Sequence, residues 1–406
     1  MDPNASGPLR IDEDDSMTDP SSPGTPSVNG STAELHLHDL DRRRDIDEKQ
    51  ERLAPLLEEL GCEAVLLLMP AHVSWFTNGL NARGLIADSE RPGVYTNGRQ
   101  RWLLCSNIDT HRLFDEELDQ LGFQLKEWSW DHGRADLLHN VVTGRKVACD
   151  RPFPNMPMVN EKLRPLLRKL SAFERAAYFE LGQLVAHAVE ATARSIVAGQ
   201  TEEEVAGHLG HRLLHHSAEP VGVSVTADGR GAKFRRAGFT TTEIHKTCVV
   251  QATGQKHGLF VTTSRTVSLG PPPPDLRSAH DLAVRQTAVS FSLSVPGQST
   301  DAAGNAAQTM LMGTPHEFDW RLSQPGYGAG RFPAEELRRG GSGEPFDDDQ
   351  AVVWQARVGP AAVVETVLVS AKGAVPVTPP ENWPFKRAKV GPLTCDVPDI
   401  LVLAPG

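Results

Sequence analysis

Several groups of side chains in this sequence have types and spacings suited to chemistry. His208, His211 and His215 fall at i, i+3 and i+7 of a segment reading His208-Leu209-Gly210-His211-Arg212-Leu213-Leu214-His215. On a helix they share a face, and His211 with His215 has the spacing of a helical transition-metal pair. No acidic residue completes a metallopeptidase HExxH there. The competing reading is a polar face whose histidines sit near a helix C-terminus, where the dipole favours them. Cys248, Thr262 and Ser264 lie close in sequence to His245 and His257, the ingredients of a nucleophile and its base. No nucleophile elbow accompanies them, so ordinary strand residues are the plainer reading. Gly326-Tyr327-Gly328-Ala329-Gly330 has the glycines of a phosphate cradle without the full spacing or a following Lys-Ser/Thr. Arg235, Arg236, Arg265 and Arg331 would hold a carboxylate or phosphate if they converged; scattered structural arginines are the alternative. His36 and His38 are a pair without further ligands nearby.

These groups need elements to position them. The 406-residue chain is long enough for two domains. Its formal net charge of -11 argues against broad nucleic-acid binding. No apolar run reaches membrane-spanning length, and the start MDPNASGPLRIDEDDS lacks the basic and apolar regions of a signal peptide. Five scattered cysteines without a CxxC suggest reduced thiols and a cytoplasmic protein.

Residues 1–40, rich in Pro, Ser, Gly and Asp, read as a disordered tail. Residues 41–168 alternate helical and strand patterns, an α/β domain. Asp47 to Leu60 is amphipathic, Ala64 to Met69 reads as a buried strand, and a helix is expected over Thr110 to Leu121. Residues 169–378 form a second domain. Its first helix is expected from Ser171, a capping-box residue with Glu174 three positions on. The words Gly199-Gln200-Thr201 return as Gly297-Gln298-Ser299 about a hundred residues later, each after a long helix and before another. This repeat implies two similar halves. At the centre, Cys248 to Ala252 and Leu259 to Leu269 read as strands joined by a turn over Gly254 to Gly258. Two more strands are expected at Ala351 to Val358 and Ala361 to Val369. Residues 379–406 read as a Pro-rich tail packed in part.

The hairpin ending Ser264-Arg265-Thr266, the repeated halves and stretches such as Pro70-Ala71, Lys256-His257-Gly258-Leu259 and Asp319-Trp320-Arg321-Leu322 resemble the creatinase, aminopeptidase P and methionine aminopeptidase superfamily. Within it, the chain is similar to a bacterial Xaa-Pro aminopeptidase-like branch. The resemblance covers about residues 42–378. It implies an α+β protein, a pita-bread domain preceded by a creatinase-like α/β domain, and a homodimer. It also implies a dinuclear metal site of carboxylates and a His, which lowers the pKa of a shared water. Carried over residue by residue, the two hairpin Asp fall on Gln251 and Thr262, the His on Gln324 or Tyr327, and the two Glu on Gln355 and Val364. Glu365 follows directly, but turning it inward requires a bulge. A substrate-binding His falls near Arg236, and Arg236, Arg265 and Arg331 are candidate cleft residues. Carboxylates are missing from every matched position, so the expectation is no metal there and a pseudo-peptidase that binds a peptide or small amide ligand. The alternative is an active peptidase or C–N hydrolase, metal-independent in the manner of creatinase or with a noncanonical site. A divalent ion, Mn or Zn, enters only there, with His208, His211 and His215 as alternative ligands.

Overall fold

The computed structural model describes residues 32–80, 87–335 and 344–404, with only the backbone over 32–39. The chain opens with helix α1 (Thr32–Glu59), which begins inside the stretch read as a tail. The side chains of His36 and His38 lie outside the described residues. Leu53, Leu56 and Leu57 of α1 are buried, as their spacing implied. They cover a sheet made of β1 (Ala64–Leu67), β2 (Gly93–Thr96), β3 (Arg101–Ser106), β4 (Phe123–Trp128) and β5 (Val147–Cys149) in the order β4-β3-β2-β1-β5. The sheet is mixed: β1 runs parallel to β5 and antiparallel to β2. β1 is buried along its whole length, which explains its continuous apolar run. Helices α2 (Pro70–Thr77), α3 (Ala135–Val142) and α4 (Asn160–Arg168) complete this region. The helix expected over 110–121 is a single π-type segment, His111–Glu117.

The rest is built as two copies of one plan, two helices followed by three strands. The first copy is α5 (Ala172–Arg194), α6 (Glu202–His215), β6 (Glu219–Ala227), β7 (Thr247–Lys256) and β8 (Leu259–Leu269). The second is α7 (Pro274–Leu293), α8 (Thr300–Leu311), β9 (Gly326–Gly328), β10 (Ala351–Val358) and β11 (Ala361–Leu368), extended by β12 (Val375–Pro376). Ser171 and Thr201 close capping boxes with Glu174 and Glu204. Ser299 caps α8 by accepting from the Asp301 amide. Gly199 and Gly297 take matching left-handed φ angles of +88° and +81° before the second helix of each copy. The repeated words in the sequence are therefore the repeated helix–helix corners.

Two four-stranded sheets result: β8-β7-β6 with a late strand β15 (Leu401–Leu403) on the outer side of β8, and β12-β11-β10-β9. They meet along β8 and β11. There the Thr262 amide donates to Thr366 Oγ1 at 2.9 Å, and that hydroxyl donates to the Thr262 carbonyl at 2.7 Å. One apolar core lies under α5 and α6 and another under α7.

The structure corrects the reading of residues 379–406. They form β13 (Phe385–Val390), β14 (Leu393–Pro398) and β15 (Leu401–Leu403). The first two make a hairpin, and β15 adds in parallel to Val267–Leu269 of β8. The described prolines of this stretch stand at strand ends and turns, where no ladder donor is needed.

The central turn is also shorter than expected. β7 runs on through Gly254 to Lys256, and His257 with Gly258 makes a two-residue turn with φ of +52° and +68°. Gly254 belongs to the strand because α5 packs on it: a Cβ there would lie 2.5 Å from Val185 Cγ2. Gly258 faces the other region of the chain, where a Cβ would lie 1.7 Å from Ser74 Oγ in α2. Gly258→Ala combines a left-handed backbone with a steric clash, and we expect it to destabilise the protein by about 1–3 kcal/mol, read as a lower urea midpoint at unchanged slope.

Candidate functional site

Strand alternation sends Gln251 and Thr253 of β7 to one side, into a cleft of about 850 Å³ between the two halves. Thr262 of β8 stands opposite Thr253 and beneath this floor, with the two hydroxyls 2.9 Å apart. From the second half, β9 brings Tyr327, whose hydroxyl donates to Thr262 Oγ1 at 3.4 Å. Burial raises the Tyr327 phenol above its ordinary range, opposed by Thr262 and the Arg357 charge. β10 brings Gln355 and, two residues on and so on the same face, Arg357. Gln355 Nε2 donates to the Gln324 carbonyl at 2.9 Å. Arg357 Nη2 donates to Gln251 Oε1 at 2.6 Å. Burial, with the Arg235 charge second, lowers the Arg357 pKa from its ordinary value.

The structure thus gathers Gln251, Thr262, Tyr327, Gln324 and Gln355 around one floor. Tyr327, rather than Gln324, makes the side-chain contact with Thr262. Val364 is fully buried as the register partner of Gln355. The β10–β11 register is regular over all its pairs, with Trp354 opposite Glu365. No bulge turns Glu365 inward. It faces the opposite side of the strand, where Thr263 Oγ1, Arg265 Nη1 and Thr378 Oγ1 donate to it at 3.0, 2.7 and 2.6 Å.

The expected arginine cluster is only partly formed. Arg236 and Arg235 line the cleft. Arg265 does not, because it alternates with Ser264 and points with Thr263 to the far face of β8, where Glu190 and Glu365 pair with it. Arg331 is buried between the two regions of the chain, paired with Glu174. Arg357 was not singled out from the sequence, although its place two residues beyond Gln355 on an expected strand was the available signal.

The remaining constellations separate. His208, His211 and His215 are exposed on α6, with the His211 and His215 rings stacked 6.1 Å apart. Among the described residues, no three His, Cys, Asp or Glu side chains are grouped to hold a metal ion. Ser264 Oγ accepts from the Val364 amide at 3.0 Å and contacts the Ala362 carbonyl. Cys248 is fully buried, and burial pushes its thiol far above the ordinary range. His245 is exposed beside Glu243, and His257 sits in the hairpin turn. The glycines of 326–330 serve packing rather than an anion: a Cβ on Gly326 would lie 2.5 Å from the Trp354 ring.

Residues 176–349 match the family model described as metallopeptidase family M24. Among solved structures, the chain is similar to a dipeptidase from Mycobacterium ulcerans, with TM-score 0.68 and 18% identity over 89% of this chain and 99% of that one. It is similar to a prolidase from Pyrococcus horikoshii, with TM-score 0.69 and 14% identity over 82% and 99%. It is also similar to an X-Pro aminopeptidase from Thermotoga maritima, with TM-score 0.68 and 16% identity over 87% and 99%. No curated protein sequence matches the chain. At these identities the structural likeness is one of fold.

Proposed function

We propose that this chain, whose residues 176–349 match metallopeptidase family M24 and whose fold is like that of the similar dipeptidase, prolidase and X-Pro aminopeptidase structures, is a pseudo-peptidase, one that binds a peptide or small amide ligand in the inherited cleft without the dinuclear metal mechanism. The observation that carries this reading is the Arg357 guanidinium bonded to Gln251. Gln251 stands at the position matched to the first metal-binding Asp, so a tethered cation occupies the floor where divalent ions would have to sit. Around it the donors are amides, a hydroxyl and a phenol. Such a set offers no negative charge to offset the dehydration of a divalent ion, and Arg357 adds repulsion. The residues present do not fit the metal pair.

The same reading carries a homodimer located in the cytoplasm. Free thiols suit a reducing compartment: all five cysteines are free, four of them buried. Among the described residues no helix is long and apolar enough to cross a membrane.

Elemental mass spectrometry of the full chain, dialysed against trace-free buffer and then exposed to Mn or Zn, is the test. The expected result is metal far below one ion per chain, together with no turnover of Xaa-Pro peptides. Near-stoichiometric retention of Mn or Zn, or metal-dependent turnover, would overturn the proposal in favour of an active peptidase with a noncanonical site.

A further inference from the structure

Charge in the cleft runs against the charge of the chain. The chain has a formal net charge of -11. Yet the charged residues lining the cleft are Arg235, Arg236, Arg321 and Arg357, with no Asp or Glu among the described lining residues. Two of these cations are already engaged. Arg235 pairs with Asp319 at 3.0 Å. Arg321 lies over the rings of Phe318 and Trp320 at 4.9 and 5.4 Å. Arg236 is exposed at the rim.

Arg357 differs from all three. It is largely withdrawn from water, and its side-chain partner is the neutral Gln251 amide. Among the described residues no carboxylate lies within ion-pair distance of it. A guanidinium has five N–H donors in a planar fork, and most of these remain uncommitted at the cleft floor. Desolvating a cation without a counter-charge is unfavourable unless a ligand supplies one.

We infer that the cleft binds a monoanionic carboxylate, as carried by the free C-terminus of a short peptide or by an N-acylated amino acid, with the carboxylate seated on Arg357 and the amide portion toward Gln251 and Gln355. The inference rests on the reading above, since Arg357 rather than a metal provides the positive charge. A carboxylate suits the site better than a phosphate dianion. The fork of one guanidinium matches two coplanar oxygens, and the Arg235 guanidinium, whose charge acts on Arg357, is held by Asp319.

Titration calorimetry on the full chain tests this with N-acetyl-alanine and N-acetyl-alanyl-alanine, their C-terminal amides, and inorganic phosphate. The acids are expected to bind more tightly than the amides by roughly tenfold or more, and more tightly than phosphate. Arg357→Gln should abolish the preference for acid over amide. Gln251→Glu leaves Arg357 in place but hands it an internal carboxylate, and should abolish the preference by competition. Failure of the acids to bind, equal affinity for acids and amides, tighter binding of phosphate, or a preference undiminished in either folded variant overturns the inference. Repeating the titrations in EDTA and in Mn separates the two proposals. Acid binding that requires Mn defeats the metal-free reading itself. Metal-independent binding that is blind to the terminal charge defeats the carboxylate assignment alone.

Discussion

Arg265→Met is expected to destabilise the protein by about 3–5 kcal/mol, measured as the change in unfolding free energy from denaturant melts at neutral pH. Arg265 is almost fully buried, and it joins two carboxylates that are themselves withdrawn from water. Its Nε meets Glu190 of α5 at 2.9 Å and its Nη1 meets Glu365 of β11 at 2.7 Å. It also donates to Thr263 Oγ1 and to the carbonyls of Ser264 and Thr378. Methionine fills much of the same space, so the loss is chiefly electrostatic: buried Glu365 loses its cation, and buried Glu190 keeps only Arg194, at 3.7 Å. Burial already raises the Glu365 pKa, with Arg265 opposing that rise. In the variant the opposition is gone, so the folded-state pKa lies further above the unfolded one. A carboxyl raised in this way is better tolerated below its unfolded pKa, and the deficit grows as pH rises through the folded value. The destabilisation should therefore be smaller at pH 5 than at pH 8. A deficit that is flat with pH would assign the effect to packing instead. Because Glu365 and Thr263 border the seam between the two sheets, the variant should also loosen the cleft floor.

Glu174→Gln should have a comparable effect, about 3–5 kcal/mol, by the same physics at a different junction. Glu174, in the first turn of α5, pairs with Lys49 of α1 at 2.7 Å and with Arg331. Lys49 also reaches Asp45 at 2.7 Å and the Trp75 carbonyl at 2.9 Å. Arg331 Nη1 donates to the His257 carbonyl at 2.7 Å. Removing the Glu174 charge leaves Lys49 with Asp45 and Arg331 with the neutral His257 carbonyl and Asn78 amide. Burial opposes ionisation of Glu174, but Lys49 and Arg331 outweigh it and hold its pKa at about 2, below its ordinary 4.5. The stability gained from this depression is fully present above the unfolded pKa and is lost as pH falls through the folded one. In the native protein it amounts to about 3 kcal/mol, lost between roughly pH 4.5 and 2. Glu174→Gln should lack this portion of the acid limb. An unchanged acid transition in the variant would contradict the assignment.

Much of this architecture was legible because local signals agreed with the global plan. The capping residues Ser171 and Thr201, the repeated Gly-Gln-Thr/Ser corners, and the apolar stripe of α1 each mark their own element. The site was legible as a set of positions: β7, β8, β9 and β10 do deliver Gln251, Thr262, Tyr327 and Gln355 to one floor. What was missed depended on which face a residue occupies. Arg265 and Arg331 were grouped with the cleft because composition places arginines in a segment without giving their direction. Arg357 was passed over because no matched family position falls on it. β6 was not foreseen, since Pro220 and Gly222 interrupt its pattern and a register shift absorbs them. The last strands were hidden by proline-rich composition. Gly254 looked like a turn residue because its real requirement, contact with Val185, lies in a helix some seventy residues earlier in the chain.

The parallel pairing of β15 with the end of β8 bears on the order of assembly during synthesis. The chain leaves the ribosome from its amino terminus, so β6, β7 and β8 emerge well before residues 401–403. During that interval the end of β8 near Val267 to Leu269 has free backbone donors and acceptors on its outer side, next to an apolar core. Such an edge is a template for pairing with another nascent chain. The hairpin of β13 and β14 carries the chain back across the second half to deliver β15. The first sheet is therefore closed by a strand made long after β8, and the window for misassembly stays open until that strand has emerged.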